Sequence, residues 1–239
     1  MKTVVIGDIH GRPIWKQIIS NENPDRVIFM GDYFDAYYDY TAAEQMYNFN
    51  EIIQYKLSGH ADVVMLVGNH DYHYMPGIIE QYSGYQHGAR VAIEHLLYEN
   101  KVYLEMAFEM MGGFLFSHAG ISQTWLDYHE YNNDEYPIVS WVNNMWKYKP
   151  NIFGFVGRDP YGDSEHSSPI WIRPKSLQRA NYDTLRTQFI QVVGHTEQKK
   201  IDIEGKSTGG RYYYIDTLGT SGEYMIIEDS KISFKQINK

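Results

Sequence analysis

Short apolar runs recur along the chain, separated by polar stretches or by stretches of helical period. Five of these runs are rich in valine, isoleucine, phenylalanine and leucine, and each is followed by glycine or polar residues. Such runs predict buried strands. They read TVVIG, RVIFMG, DVVMLVG, FLFSH and FIQVVGH. Three later runs, RYYYID, EYMIIED and ISFKQI, predict further strands, and the last two predict a hairpin across Asp229 and Ser230.

Three helices are predicted between the strands. The first, PIWKQIIS, carries Pro13 in its first turn. The second begins with a capping-box pattern at Thr41 and Glu44, presents one apolar face and stops at Gly59. The third is RVAIEHLLYEN. This alternation of apolar strands with helices predicts an α/β fold whose sheets are covered by helices.

The stretch from about residue 122 to residue 174 differs from the rest. It shows no clear period, and we expect a loop-rich insertion over one sheet edge. A long loop of this kind within a domain is often a substrate-binding element. Its tryptophans are Trp125, Trp141, Trp146 and Trp171.

Composition and charge narrow the functional classes. The 239 residues are 43% hydrophobic, which fits one globular domain, and the absence of cysteine excludes disulfides, thiolate metal sites and a cysteine nucleophile. The net charge of −9 argues against broad nucleic-acid binding, although bound divalent cations would let an acidic protein accept a phosphorylated substrate. No apolar run approaches the length of a membrane span, so we expect a cytoplasmic protein without membrane contact.

Side chains with metal-binding chemistry follow five of the predicted strands. Ligands bind at the carboxyl ends of the strands in open α/β sheets. Carboxylate, imidazole and amide oxygen together suit divalent manganese, iron or zinc. A single motif of this kind is usually a turn or a packed histidine, but five in order predict a metal site. The residues are Asp8, His10, Asp32, Asp35, Asn69, His70, His118 and His195.

The motifs GDIHG, GDYFD, GNHD, SHAG and GHT resemble, in order and spacing, the motif series of the calcineurin-like metallophosphoesterases. SHAG, and a GHT without a later histidine, are similar to the phosphoprotein phosphatase branch, which includes Ser/Thr protein phosphatases and symmetrical diadenosine tetraphosphatases. The resemblance implies a single domain over residues 1–239. Its fold would be a β-sandwich of mixed sheets flanked by helices, in four αββα layers.

The resemblance also implies two divalent metal ions, with manganese favoured and iron or zinc compatible. Asp8 and His10 would hold the first ion, and Asp32 would bridge both. Two such ions clamp a phosphoryl group and lower the pKa of a shared water. The ligands of the second ion would be Asn69, His118 and His195.

Catalytic and phosphate-binding roles follow from the same resemblance. His70 would be the acid that protonates or stabilises the leaving oxygen. Asp35 would fix the tautomer of His70 and favour the charged form of the ring. SPIWIRP resembles the Trp-containing segment of the branch and offers Arg173 as a phosphate clamp, because a guanidinium fork matches phosphate oxygens. Asn69 would also contact the substrate phosphate.

The sequence departs from the branch after the second aspartate of GDYFD. Members usually carry an arginine there that grips phosphate, whereas this chain has Ala36, followed by Tyr37 and Tyr38. Arg12 and Arg158 are weaker candidates that could compensate for Ala36. The tyrosines, with Tyr33, would either stack on a base or phenyl group of the substrate or cover the helix that follows.

Two further expectations concern residues near His70. GNHD stands where the branch usually has GNHE, and we expect Asp71 to support the loop rather than bind metal. His73 is expected to be a packed or solvated imidazole rather than a pocket residue.

Three functions are compatible with these motifs. We expect hydrolysis of a phosphomonoester, by an enzyme similar to a Ser/Thr protein phosphatase acting on a phosphorylated substrate. The alternative is a hydrolase of nucleotides, dinucleoside polyphosphates or phosphodiesters, which the tyrosine-rich surface and the missing arginine favour. A non-catalytic scaffold is the third, and the full set of motif residues argues against it. The physiological substrate, metal identity and oligomeric state stay open.

Overall fold

The computed structural model describes residues 1–37, 39–154, 161–180, 185, 188–204 and 211–237. Within these residues the chain forms two β-sheets with helices against their outer faces. The strands are β1 (Lys2–Ile6), β2 (Arg26–Phe29), β3 (Asp62–Leu66), β4 (Leu104–Glu105), β5 (Ala107–Met110), β6 (Phe114–Ser117), β7 (Ile190–Val193), β8 (Asp202–Glu204), β9 (Tyr212–Tyr214), β10 (Glu223–Glu228) and β11 (Lys231–Gln236). The α-helices are α1 (Trp15–Glu22), α2 (Ala42–Ser58), α3 (Asn69–Tyr72), α4 (Arg90–Asn100), α5 (Gln123–Tyr128), α6 (Ile138–Tyr148) and α7 (Pro174–Ala180).

The first sheet has six strands in the order β11-β10-β1-β2-β3-β4. β1 to β4 run parallel, and the β10–β11 hairpin joins antiparallel to β1. The predicted hairpin is confirmed: Asp229 and Ser230 form its turn with φ angles of 48° and 64°. Two consecutive residues with positive φ give the turn the twist that matches the flanking strands.

The second sheet has five strands in the order β5-β6-β7-β9-β8. β6, β7 and β9 are parallel, whereas β5 and β8 pair antiparallel at the two edges. Both sheets are therefore mixed, as the family resemblance predicts.

Strand side chains alternate between an inter-sheet core and the helical layers. Val4 and Ile6 pack in a cluster with helical residues, while Val5 between them packs with residues of the second sheet. In the second sheet, Val192 faces the inter-sheet core and its neighbour Val193 packs with α7. The layers are helix, sheet, sheet, helix, which confirms the predicted αββα arrangement.

The helix predictions hold with shifts at the ends. Thr41 and Glu44 form the predicted capping box, α2 ends before Gly59 at a φ of 70°, and α4 covers the predicted RVAIEHLLYEN. α1 begins at Trp15 rather than at Pro13, because the preceding turn closes i to i+3 bonds such as Lys16 N–H to Pro13 O. None of the described helices combines the length and apolar character needed to cross a bilayer.

The segment at 122–174 is more helical than the sequence analysis predicts. α6 buries Ile138, Trp141 and Val142, which is the i, i+3, i+4 spacing of an amphipathic helix. Asn143 of the same helix accepts hydrogen bonds from the N–H groups of Met106 and Ala107 at 2.8 and 3.1 Å. The helix is thereby fastened to the point where the chain passes from one sheet to the other.

Candidate metal centre

The residues singled out in the sequence meet where strands of the two sheets end side by side. The His195 N–H donates to both carboxylate oxygens of Asp8 at 3.1 Å, and His118 Nε2 lies 3.4 Å from Asp32 Oδ2. These contacts join residues that follow strands of different sheets. The structure brings together Asp8, His10, Asp32, Asp35, Asn69, His70, His118, His195 and Arg173.

The first group of candidate ligands is Asp8, His10 and Asp32. Each offers one ligand atom, and these atoms all lie within 4.8 Å of one another. His10 Nδ1 is 2.7 Å from the carbonyl oxygen of Phe34. A carbonyl only accepts, so Nδ1 carries the proton and the Nε2 lone pair is directed to the carboxylates. Burial lowers the pKa of His10 to about 4, which keeps the ring neutral and ready to bind a cation.

The second group is centred on the amide oxygen of Asn69. Asn69 Oδ1 lies 3.0 Å from His118 Nε2 and 2.9 Å from His195 Nδ1. The opposite ring nitrogens are held by carbonyl oxygens, His118 Nδ1 by Met30 at 2.8 Å and His195 Nε2 by Trp171 at 3.0 Å. In their neutral forms both imidazoles turn a lone pair toward the amide oxygen, and acceptors that converge in this way fit a bound cation.

The charges of the buried carboxylates also indicate a cation site. Burial and the charge of Asp216 raise the pKa of Asp8 well above its usual value, and burial and the charge of Asp32 raise that of Asp216 to about 6. Burial lowers the pKa of His118, but the charges of Asp32 and Asp8 raise it overall to about 10. Excess negative charge in a buried site is relieved by bound cations.

Asp216 was not singled out in the sequence. It lies two residues beyond β9 and is buried. RYYYID was recognised as an apolar run, and its terminal acid repeats the pattern of the five motifs. That repetition was the signal by which Asp216 could have been found.

Local backbone geometry explains how the side chains converge. Asp32 has a φ of 52°, in the left-handed region that non-glycine residues rarely adopt. A Cβ atom on Gly68 would lie 2.0 Å from Asp32 Oδ1, so only glycine permits this approach of the two loops. Backbone strain of this kind is typical of functional sites. Other site residues with positive φ are His10, Asp35 and His195.

His70 and Asp35 form the predicted pair. His70 Nδ1 lies 2.9 Å from Asp35 Oδ2, and the His70 backbone N–H donates to Asp32 Oδ1 at 2.8 Å. Burial lowers the pKa of His70, but the charges of Asp32 and Asp35 outweigh it and raise the pKa overall. Asp35 also accepts hydrogen bonds from the Tyr74 hydroxyl at 2.6 Å and from Gln86 Nε2 at 3.2 Å.

His73 is a packed imidazole, as expected, but its contact with the pair was missed. It is buried, and its Nε2 lies 2.7 Å from Asp35 Oδ2, the oxygen that also faces His70. Its Nδ1 accepts a hydrogen bond from the Tyr82 N–H at 3.1 Å, which leaves the proton on Nε2. The spacing of three residues from His70 was the signal available in the sequence.

Asp71 has the supporting role predicted for it. Its carboxylate accepts hydrogen bonds from the N–H groups of Gly68, Asp32 and Tyr33 at 2.9, 2.8 and 2.7 Å. Asp71 therefore ties the loop after β2 to the loop after β3. Ala36, where the branch carries arginine, is buried.

Arg173 lies beside the second group of ligands. Its Nη1 donates to the carbonyl oxygen of His195 at 3.3 Å and to Thr196 Oγ1 at 3.0 Å, and its Nε donates to the Tyr161 carbonyl at 2.9 Å. These bonds fix the orientation of the guanidinium.

Arg12, one of the two weaker arginine candidates, contacts the backbone of the loop after β1. Arg12 Nη1 donates to the carbonyl oxygens of Asp8 and Ile9 at 3.4 and 3.5 Å, so it stabilises the loop after β1. Arg158 lies outside the described residues.

Comparison with known proteins identifies the family in which this arrangement of residues occurs. The family model for calcineurin-like phosphoesterases matches residues 1–203, which is most of the chain. The chain belongs to the calcineurin-like phosphoesterase family. Its members are metal-dependent hydrolases of phosphoric esters with a dinuclear centre, so the chain is a hydrolytic phosphoesterase. No curated protein matches the chain in sequence.

Solved structures of other phosphoesterases share the fold. A cold-active protein-tyrosine phosphatase of a psychrophilic Shewanella species is 19% identical, with a TM-score of 0.62 over 99% of this chain and 80% of that one. A protein serine/threonine phosphatase from Saccharomyces cerevisiae is 13% identical, with a TM-score of 0.64 over 100% and 80%. A metallophosphoesterase from Sphaerobacter thermophilus is 15% identical, with a TM-score of 0.52 over 100% and 89%.

Proposed function

We propose that this calcineurin-like phosphoesterase hydrolyses phosphomonoesters at a two-metal centre. The observation that carries the proposal is the orientation of His10, His118 and His195. Each ring donates a hydrogen bond from one N–H to a backbone carbonyl oxygen and turns its other nitrogen toward carboxylate or amide oxygens. Imidazoles oriented in this way are typical of ligands preformed for a divalent ion, whose charge would replace the proton that Asp32 and Asp8 favour on His118.

The donor set divides between two ions. Asp8 and His10 would hold the first, Asp32 would bridge, and the ligands of the second would be Asn69, His118 and His195. When bound, the ions supply charge stabilisation of the phosphoryl oxygens and a water of lowered pKa. Oxygen and nitrogen donors without thiolate suit manganese, with iron or zinc as further candidates.

His70 is assigned the proton transfer to the leaving oxygen. Asp35 holds Nδ1, so Nε2–H is the group that reaches the substrate, and the raised pKa of His70 favours its charged, proton-donating form. The proton passes from Nε2 to the leaving oxygen as the bond from that oxygen to phosphorus breaks. The oxygen of the attacking water becomes the fourth oxygen of the released phosphate and keeps one proton, while the second proton of that water restores the proton that His70 gave up.

Arg173 and Asn69 are assigned to the substrate phosphate. Arg173 is oriented by its bonds to His195, Thr196 and Tyr161 through Nε and Nη1, and within the described residues its Nη2 makes no hydrogen bond, so this atom is assigned to the phosphate. A monoester carries two negative charges, so a guanidinium and a protonated histidine favour it over a diester. Two of the similar structures are protein phosphatases, one for tyrosine and one for serine and threonine.

Diester or nucleotide hydrolysis is the second candidate. Ala36 offers no cation where protein phosphatases of this branch carry arginine, and a diester presents fewer charges to hold.

The test compares para-nitrophenyl phosphate with bis-para-nitrophenyl phosphate in the presence of Mn²⁺, Fe²⁺ or Zn²⁺. We expect faster turnover of the monoester with at least one metal, and loss of that activity in Asp32→Asn. A preference for the diester would replace the proposal with the second candidate. Two bound metal ions without turnover of either ester would contradict both.

A further inference from the structure

Tyr37 stands at the mouth of the centre, one residue beyond Ala36. Its ring centroid is 6.3 Å from that of His70 and 6.5 Å from that of His10. The side chain is 56% exposed, while both imidazoles are largely buried. Tyr37 therefore forms an accessible aromatic wall beside the ring assigned to the leaving oxygen.

The ring is held in place rather than free on the surface. The Tyr37 hydroxyl lies 3.0 Å from Ser83 Oγ. Gly84 lies beneath the ring, because a Cβ atom on it would meet Tyr37 Cε1 at 3.3 Å and Asp35 Cβ at 3.1 Å. Tyr37 itself has a φ of 55°, a costly conformation for an aromatic residue. A strained backbone and a fixed ring are expected of a side chain positioned for contact.

Tyr33 shows the contrasting arrangement. Its ring is buried and packs edge-on against Phe49 of α2, with the ring centroids 5.1 Å apart. Tyr33 therefore covers the helix that follows GDYFD and does not face a substrate. Tyr38 lies outside the described residues. Tyr37 is then the described tyrosine of GDYFDAYY whose ring is available to a substrate.

We propose that Tyr37 determines specificity by stacking on an aromatic leaving group, so that aryl phosphates such as the phosphotyrosine side chain are preferred to alkyl phosphates. This inference rests on the proposed function. The leaving oxygen lies within reach of His70 Nε2, so the group bonded directly to that oxygen is the part of the substrate nearest Tyr37. A nucleotide base is separated from its phosphate by the ribose and does not occupy that position.

The missing arginine supports the same conclusion. A guanidinium after Asp35 would grip phosphate whatever its leaving group, whereas a phenol ring contacts the leaving group itself. Aromatic pairs prefer offset or edge-to-face contact, and the usual strength of such a pair corresponds to about a 3- to 10-fold change in kcat/KM.

The test uses two peptides of one sequence, one with phosphotyrosine and one with phosphoserine. We expect Tyr37→Ala and Tyr37→Leu to lower kcat/KM for the phosphotyrosine peptide about 3- to 10-fold, mainly through KM, and to leave the phosphoserine peptide unchanged. Tyr37→Phe, which keeps the ring, should stay close to wild type. Comparing variants on each peptide cancels the intrinsic reactivity of the two leaving groups.

Metal content and melting temperature of each variant control for folding. Equal losses on the two peptides, or no loss on either, would overturn the role of Tyr37 while leaving the phosphomonoesterase proposal intact. Wild-type protein that hydrolyses neither peptide nor para-nitrophenyl phosphate would overturn the proposed function, and this inference with it. Tyr37→Leu distinguishes π contact from bulk, and full activity in that variant would also contradict stacking.

Discussion

The Nε2 atom of His73 lies 2.7 Å from the Oδ2 atom of Asp35. That oxygen also faces His70 Nδ1 at 2.9 Å, so one carboxylate oxygen is shared by two imidazoles. His73 stacks on Tyr82 with ring centroids 4.9 Å apart and is sealed from solvent. Its ring also lies edge-on to that of His70, with the centroids 5.7 Å apart, so we expect it to act as a positioning residue for the pair of His70 and Asp35.

Replacing His73 should weaken that positioning. We expect His73→Phe, which keeps an aromatic ring in the packed site, to lower kcat about tenfold with KM nearly unchanged, as for other residues that orient a catalytic group. Steady-state kinetics and metal analysis would check this. Tyr85→Phe, next to His73 but without contact to Asp35 oxygens, is a matched control. A rise in KM at constant kcat would point instead to a role in substrate binding.

Replacing His70 should remove the proposed acid and leave the candidate metal ligands in place. We expect His70→Asn to lower kcat by about 10²- to 10⁴-fold with metal content near that of wild type. The loss should shrink for esters whose leaving group has a low pKa, because such a group departs without a proton. An equal loss across a series of substituted phenyl phosphates would exclude proton donation by this residue.

Glu22 at the end of α1 is predicted to make the free energy of unfolding depend on pH in the acid range. Burial raises its pKa, but the ammonium groups of Lys2 and Lys235, at 2.5 and 2.9 Å, and the Tyr224 hydroxyl, at 2.7 Å, lower it overall to about 2. A depressed carboxyl pKa stabilises the fold above the unfolded value of 4.5 and loses that contribution as the pH falls toward 2.

Because the Lys235 side chain is half exposed, solvent screening reduces the contribution of this ion pair at neutral pH to on the order of 1–2 kcal/mol. We expect Glu22→Gln to lower the free energy of unfolding by an amount of this order at pH 7 and by much less at pH 3. Urea denaturation of both proteins across this range measures the difference. A constant gap between the two curves would show that the charge of Glu22 is not responsible.

Removal of metal ions should make stability fall as the pH rises. Burial and the charge of Asp32 raise the pKa of Asp71 to about 8, and Asp216 titrates at about 6. A carboxyl group with a raised folded pKa binds more protons in the folded state, so it destabilises the fold progressively from about pH 4 upward to its folded pKa.

We therefore expect chelator-treated protein to have a lower melting temperature at pH 8 than at pH 5. Reloading with Mn²⁺ should remove most of that dependence, because bound cations balance the carboxylates. Calorimetry at the two pH values, with and without metal, makes the comparison. Metal-free protein that is more stable at pH 8 than at pH 5 would show that ionisation of Asp71 and Asp216 does not destabilise the fold.

Much of the fold and of the centre could be predicted because the relevant signals are local. Apolar runs mark β1, β2, β3, β6 and β7, and a capping box marks the start of α2. The candidate ligands follow those strands by one to four residues, and parallel strands carry their carboxyl ends to one edge. Register and side-chain alternation then follow from strand geometry.

Other features depend on contacts between distant parts of the chain. The carbonyl partners of His10, His118 and His195 belong to Phe34, Met30 and Trp171, and backbone groups carry no sequence signal. His73 and Asp216 did leave signals, a three-residue spacing and an acid after an apolar run. α6 was missed because surrounding aromatic and polar residues obscured its i, i+3, i+4 period.

The end of the insertion, residues 169 to 173, contacts the loops that carry candidate metal ligands. Ala119, beside His118, donates its N–H to the Pro169 carbonyl at 2.7 Å; His195 is held by the Trp171 carbonyl, and Arg173 bonds to Thr196. Shifting the backbone of residues 169 to 173 would misdirect His195, a proposed metal ligand. A perturbation of the insertion that shifts this stretch would therefore reach the candidate metal centre through His118, His195 and Arg173.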